Sequence, residues 1–209
     1  MLSTPFPSSL DKLALAVQSA VEAKELTVKE YGIGEDINVN LYGWKGPHLY
    51  AVLQMSTSLM RKPHEERFGR VADATCVLRK ATGIDSITMV AEGYISTDPT
   101  KTSDMPLSEA FVKKGSVVKE CLTFTHIYNE QVIFMTKPYI YNVPRRVDWE
   151  DEIYTPGQTV MRGGNAKYPM MFSKVLREID EEEAPLDEQT YFETIAIGLR
   201  NMGFEISWL

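Results

Sequence analysis

The chain has 209 residues, 44% hydrophobic and 24% charged, enough for one good hydrophobic core plus an appendage, which places it with ordinary soluble globular proteins rather than disordered or membrane-spanning ones. Its net charge is −7, and its basic residues are dispersed except for the pairs Arg61-Lys62, Lys113-Lys114 and Arg145-Arg146. None of these extends into the basic stripe that sequence-independent binding to phosphate requires, so nucleic acid is not the expected partner.

The start, Met-Leu-Ser-Thr-Pro, has neither a basic n-region nor an apolar h-region. Apolar runs such as Leu13–Val17 fall far short of the ~20 residues that cross a bilayer. The expected location is therefore the cytoplasm, or a viral particle if the protein is of viral origin. Cys76 and Cys121 lack CxxC spacing and are expected to be free, buried thiols.

Ser9 to Lys24 is predicted to be an amphipathic helix, with Leu10, Leu13, Ala14, Val17 and Val21 on one side. Gly32 and Gly34 break the chain. Asp36–Tyr42 then alternates as a strand, a second apolar run covers His48–Met55, and the Gly43–Pro47 link between them predicts a hairpin. Pro63 fits the first turn of a helix and Glu65 and Glu66 its positive end. That helix should run to Thr82, stop at Gly83, and bury Phe68, Val71, Ala72, Thr75 and Leu78.

Alternation resumes over Asp85–Ser96, followed by a polar loop and a short helix at Pro106–Lys114. Val117–Tyr128 and Gln131–Tyr141 are predicted to be two long strands joined at Asn129-Glu130, with Pro138 marking a sheet edge or bulge. Prolines and glycines then interrupt Asn142–Lys167, which reads as an extended arm. Helices at Pro169–Asp180 and Asp187–Met202 and a short Phe204–Trp208 run complete the chain.

This order predicts an α+β fold, a mostly antiparallel sheet of about five strands flanked by helices. Residues 1–142 form the main domain, and residues 143–209 form a loop-rich arm and a C-terminal helical extension packed on it. The main core should include Phe68, Val71, Leu78, Ile87, Met89, Leu122 and Phe124.

Glu92 and Glu120 are the weak catalytic candidates, since each carboxylate interrupts an apolar strand. If those strands were neighbours, the pair could face each other and do acid/base work or hold a divalent cation. Solvent-facing positions on a one-sided sheet account for them equally well. His48, His64 and His126 have no HxH or HExxH spacing, so no metal site is expected, and no sequence motif calls for a cofactor. Arg162–Lys167, with Gly163-Gly164, lacks the phosphate-loop spacing and reads as a plain turn.

Trp149 stands among Asp148, Glu150, Asp151 and Glu152, just after Arg145-Arg146. Aromatic anchors beside arginines suit docking onto another protein, so Arg145, Arg146, Trp149, Tyr154 and Arg162 are the expected partner-binding residues. The expected function is a non-enzymatic protein-interaction or assembly subunit that self-associates or binds a protein partner, of the viral or phage structural or accessory kind. The rival is a small hydrolase or metal-dependent nuclease using Glu92 and Glu120.

Overall fold

The computed structural model describes residues 9–98, 100, 106–113, 117–128, 131–142, 145–155 and 188–209. The predicted helix at Pro169–Asp180, the turn at Arg162–Lys167 and the side chain of Phe68 lie outside what is described.

Helix α1 (Ser9–Tyr31) continues past the predicted end at Lys24. The reason is a stripe that does not stop there: Leu13, Ala16, Val17, Ala20, Lys24 and Val28 are all buried, stepping by three and four. Gly32, at φ +110, closes the helix by donating its N–H to the Val28 carbonyl at 3.0 Å.

Strands β1 (Asn40–Lys45) and β2 (His48–Met55) form the first hairpin, with only Gly46-Pro47 in the turn. The predicted link at Gly43–Pro47 was too long, because Trp44 belongs to β1 and is wholly buried. Helices α2 (Thr57–Met60) and α3 (His64–Thr82) follow, and α3 ends at Gly83 as its left-handed φ of +68 requires. Then come β3 (Ser86–Ser96), α4 (Leu107–Lys113), β4 (Val118–Tyr128), β5 (Gln131–Asn142), β6 (Arg146–Trp149), β7 (Ile153–Thr155), α5 (Glu188–Asn201) and β8 (Phe204–Trp208).

The α+β class holds, but the described residues form one eight-stranded antiparallel sheet, not five strands. Its order is β6-β5-β4-β3-β1-β2-β8, with β7 also on β5. The extra strands come from segments too short for an alternation signal. β8 extends the sheet beyond β2, while β6 and β7 fold the described part of the expected arm back onto β5.

Pro138 lies inside the sheet and not at its edge. β6 pairs with Tyr139–Asn142 and β7 with Phe134–Thr136, so Pro138 falls in the gap between them. Its carbonyl faces that gap and accepts from the Glu150 N–H at 2.9 Å, and its missing N–H points the same way, where no ladder bond is lost.

The sheet separates two cores. On one side Leu13, Ala16, Val17 and Ala20 of α1 meet Val90, Leu122, Phe124 and Met135. On the other, Val71, Ala74 and Leu78 of α3 with Leu199 of α5 meet Leu41, Leu53, Ile87 and Ile127. The expected core residues Val71, Leu78, Ile87, Leu122 and Phe124 are buried, and Met89 packs partly buried against the second core. No described helix is long and apolar enough to cross a membrane.

Candidate functional site

Pairing Glu92 with Leu122, Thr88 with His126 and Ser86 with Tyr128 turns these side chains toward α1. A seam of polar groups therefore runs beneath the helix. At one end Lys12 Nζ donates to Asp85 Oδ1 at 2.9 Å and to Ser86 Oγ at 2.8 Å. Next, the Trp44 indole N–H donates to Thr88 Oγ1 at 2.9 Å, and Thr88 Oγ1 lies 2.8 Å from His126 Nδ1. An indole only donates, so Thr88 Oγ1 accepts from Trp44 and shares a second hydrogen bond with Nδ1, whose direction follows the His126 tautomer. The ring's Nε2 is buried without a hydrogen-bond partner among the described residues. Burial, aided by the Lys12 charge, pushes His126 down to about 4.

At the far end stands Glu92, tied on every side. Lys24 Nζ lies 2.8 Å from Oε1 and 3.0 Å from Oε2. The Ile37 N–H donates to Oε1 at 2.8 Å and the Tyr139 hydroxyl to Oε2 at 3.0 Å. Lys24 also donates to the Glu35 carbonyl at 2.6 Å and sits 5.3 and 5.5 Å above the rings of Tyr139 and Tyr141.

Burial, reinforced by the adjacent Asp36 carboxyl and opposed by Lys24 and the Ile37 N–H, pushes Glu92 up to about 7. Burial pulls Lys24 down, but Glu92 and Tyr141 outweigh it and leave the ammonium above its ordinary value. The buried Tyr141 hydroxyl is close enough to act on that charge, yet its geometry gives it no hydrogen bond among the described residues.

Chemically this is a clamp. Glu92 joins α1, the 35–37 segment and β5 to β3, and the Ile37 N–H goes to its carboxylate, while β1 begins at Asn40 and not at the predicted Asp36. The predicted Glu92–Glu120 pair has a different geometry. β3 and β4 are neighbours and both acids face α1, but the register sets Glu120 opposite Tyr94, two residues along from Glu92. Burial raises Glu120, with Lys24 opposing. The acid beside Glu92 is Asp36. Among the described residues no group of three or more acidic, histidine or cysteine side chains is arranged to hold a metal ion.

A second feature lies where α1 passes β6, an open cleft of about 700 Å³ lined by Glu25, Lys29, Arg145, Arg146, Asp148 and Trp149. The structure brings Arg145, Arg146 and Trp149 together here. Tyr154 lies apart on β7, opposite Met135, and Arg162 lies outside the described residues. Trp149 donates its indole N–H to Glu25 at 2.8 Å and packs edge-on against Tyr139 at 5.3 Å. Arg146 pairs with Asp148 at 3.0 Å. Arg145 holds φ at +114, a conformation costly for any residue with a Cβ.

Sequence reasoning missed Lys24, Asp36, Tyr139 and Lys29. Lys24 had a legible signal, since it stands four residues after Ala20 and four before Val28 in the apolar stripe of α1. Asp36 and Tyr139 had none, because only the fold brings them to Glu92. No family model, curated protein or solved structure matches the chain.

Proposed function

We propose that the protein is a non-enzymatic interaction subunit that self-associates through the cleft of Lys29, Arg145, Arg146 and Trp149. The observation that carries this reading is Arg145. A side chain held at φ +114 costs about 1–3 kcal/mol, and such strain persists where a site uses the residue it positions. Here it sets a guanidinium beside Lys29 and an aromatic wall, in a cleft whose two carboxylates are already engaged, Asp148 by Arg146 and Glu25 by the Trp149 indole, on a chain whose net charge is −7. The complement of such a cleft is an acidic segment, and a second copy of this acidic chain is well supplied with them. Contact between a cationic cleft and an acidic surface elsewhere is heterologous, which builds rings or filaments and not two-fold dimers. Glu92 favours this reading over hydrolysis, because its oxygens are already taken by Lys24, Ile37 and Tyr139.

Sedimentation velocity tests the proposal. The wild type should form salt-sensitive species larger than dimers as concentration rises, and Arg145→Glu/Arg146→Glu should abolish them without lowering Tm. Arg145→Gly should weaken association while stabilising the fold by about 1 kcal/mol, since glycine relieves the strained φ. A wild type that stays monomeric, or association indifferent to both variants, rejects the reading.

A further inference from the structure

On the α3 side of the sheet, away from the cationic cleft, a cavity of about 170 Å³ lies between α3, the end of β2 and the segment leading into β1. Its walls are Val39, Met55, Met60, Val71 and Met89. Cavities of this size, about 150 Å³ in a well-studied case, hold a molecule such as benzene, and thioether walls adapt to aliphatic shapes.

Unlike a plain packing defect, this cavity is also lined by Arg67, Asp36 and Glu92. The Arg67 Nε is buried and has no hydrogen-bond partner among the described residues, which is expensive for a charged donor unless an anion meets it. Asp36 is exposed and its carboxyl adjoins that of Glu92. A cavity of this volume is only about 7 Å across if roughly spherical, so one small molecule can reach both charges. An anion alone would meet the Asp36 carboxylate, since the Glu92 oxygens are held by Lys24, Ile37 and Tyr139, and a cation alone would meet the guanidinium. A zwitterion answers both.

We propose that this cavity binds a small zwitterion with an apolar side chain, of the class of aliphatic or thioether α-amino acids. The carboxylate pairs with Arg67, the ammonium with Asp36, and the side chain fills the space among the methionines. This site is independent of the association cleft, and its test reads no oligomer.

Titration calorimetry with the intact protein at neutral pH uses L-leucine as the probe, beside 4-methylpentanoate and isopentylamine, which each keep one charge and the branched chain. Leucine should bind with saturation, and each single-charge analogue should bind at least about tenfold more weakly, the worth of one charge-assisted hydrogen bond. Arg67→Gln and Asp36→Asn, both at partly or fully exposed residues and expected to leave Tm unchanged, should each weaken leucine binding by about tenfold or more. No leucine binding at about 10 mM, a level far above a typical metabolite-site Kd, would overturn the proposal. So would an analogue binding as well as leucine, or leucine binding that ignores both substitutions.

Discussion

Lys24 Nζ rests 2.8 Å from Glu92 Oε1 in a pair whose side chains are 0% and 11% exposed, joining the first helix to the third strand. Removing one partner of such a pair leaves a buried charge uncompensated. Lys24→Met should therefore lower unfolding stability by about 3–5 kcal/mol. Adding Glu92→Gln should recover much of that loss, since glutamine keeps an acceptor for the Ile37 N–H. Chemical denaturation of both single variants and the double variant checks this, and additive losses would mean that the two residues act independently.

Glu92 and His126 carry opposite pH dependences. With Glu92 raised to about 7, the folded state holds that proton more tightly than the unfolded chain, so its contribution is complete below about 4.5 and lost as pH rises through 7. His126, lowered to about 4, contributes above its ordinary 6.5 and loses that contribution as pH falls toward 4. Between pH 4.5 and 6.5 the two slopes oppose each other. Relative to wild type, Glu92→Gln should add a slope of up to about +1.4 kcal/mol per pH unit, and His126→Asn one of opposite sign. Denaturant midpoints across this window measure both, and same-signed slopes would contradict the assignment.

Gly43 of β1 is pressed against α3. A Cβ built there would lie 3.1 Å from Leu78 Cδ2 and 3.3 Å from Ile84 Cδ1. Gly43→Ala should destabilise by about 1–3 kcal/mol through overpacking, and Leu78→Ala by about 2–5 kcal/mol through a cavity. In the Leu78→Ala background the added methyl has room, so the double variant should be more stable than the sum of the single losses predicts. A mutant cycle showing no coupling would place Gly43 away from that contact.

The two cysteines should differ in reactivity. Cys121 is fully buried and its thiol is pushed up to about 12 by burial, with Glu92 and Glu120 adding to it, whereas Cys76 is only partly buried. A thiol reagent at pH 8 should label Cys76 in the folded protein and reach Cys121 only after unfolding. Rapid labelling of Cys121 in the native state would show that β4 opens locally.

Trp149 tests how far the cleft depends on its own domain. Trp149→Phe keeps a ring against Tyr139 but loses the bond to Glu25, so it should cost about 0.5–1.5 kcal/mol of stability. Trp149→Ala should cost more, because the aromatic contact goes as well. Thermal unfolding of the two variants checks the order, and equal losses would assign the whole effect to the hydrogen bond.

Periodicity alone determined the long elements. Leu13 to Val21, Val71 to Leu78 and the alternation around Ile87 and Phe124 each carry enough apolar positions to define a period, so their type and buried face were legible, and the α+β class followed from their order. Short strands carry too few positions for that. Phe204–Trp208 and Arg146–Trp149 become strands because β2 and β5 offer them unpaired backbone edges, a property of the neighbour and not of the segment. Pro138 belongs with them, since only the gap between β6 and β7 makes its missing N–H harmless. The candidate sites divide in the same way. Arg145, Arg146 and Trp149 are close in the chain, so local composition could point to them. Lys24, Asp36, Glu92 and Tyr139 are drawn from four separate segments and meet only once α1 lies across the sheet, because a buried charge is satisfied by neighbours in space whatever their distance along the chain.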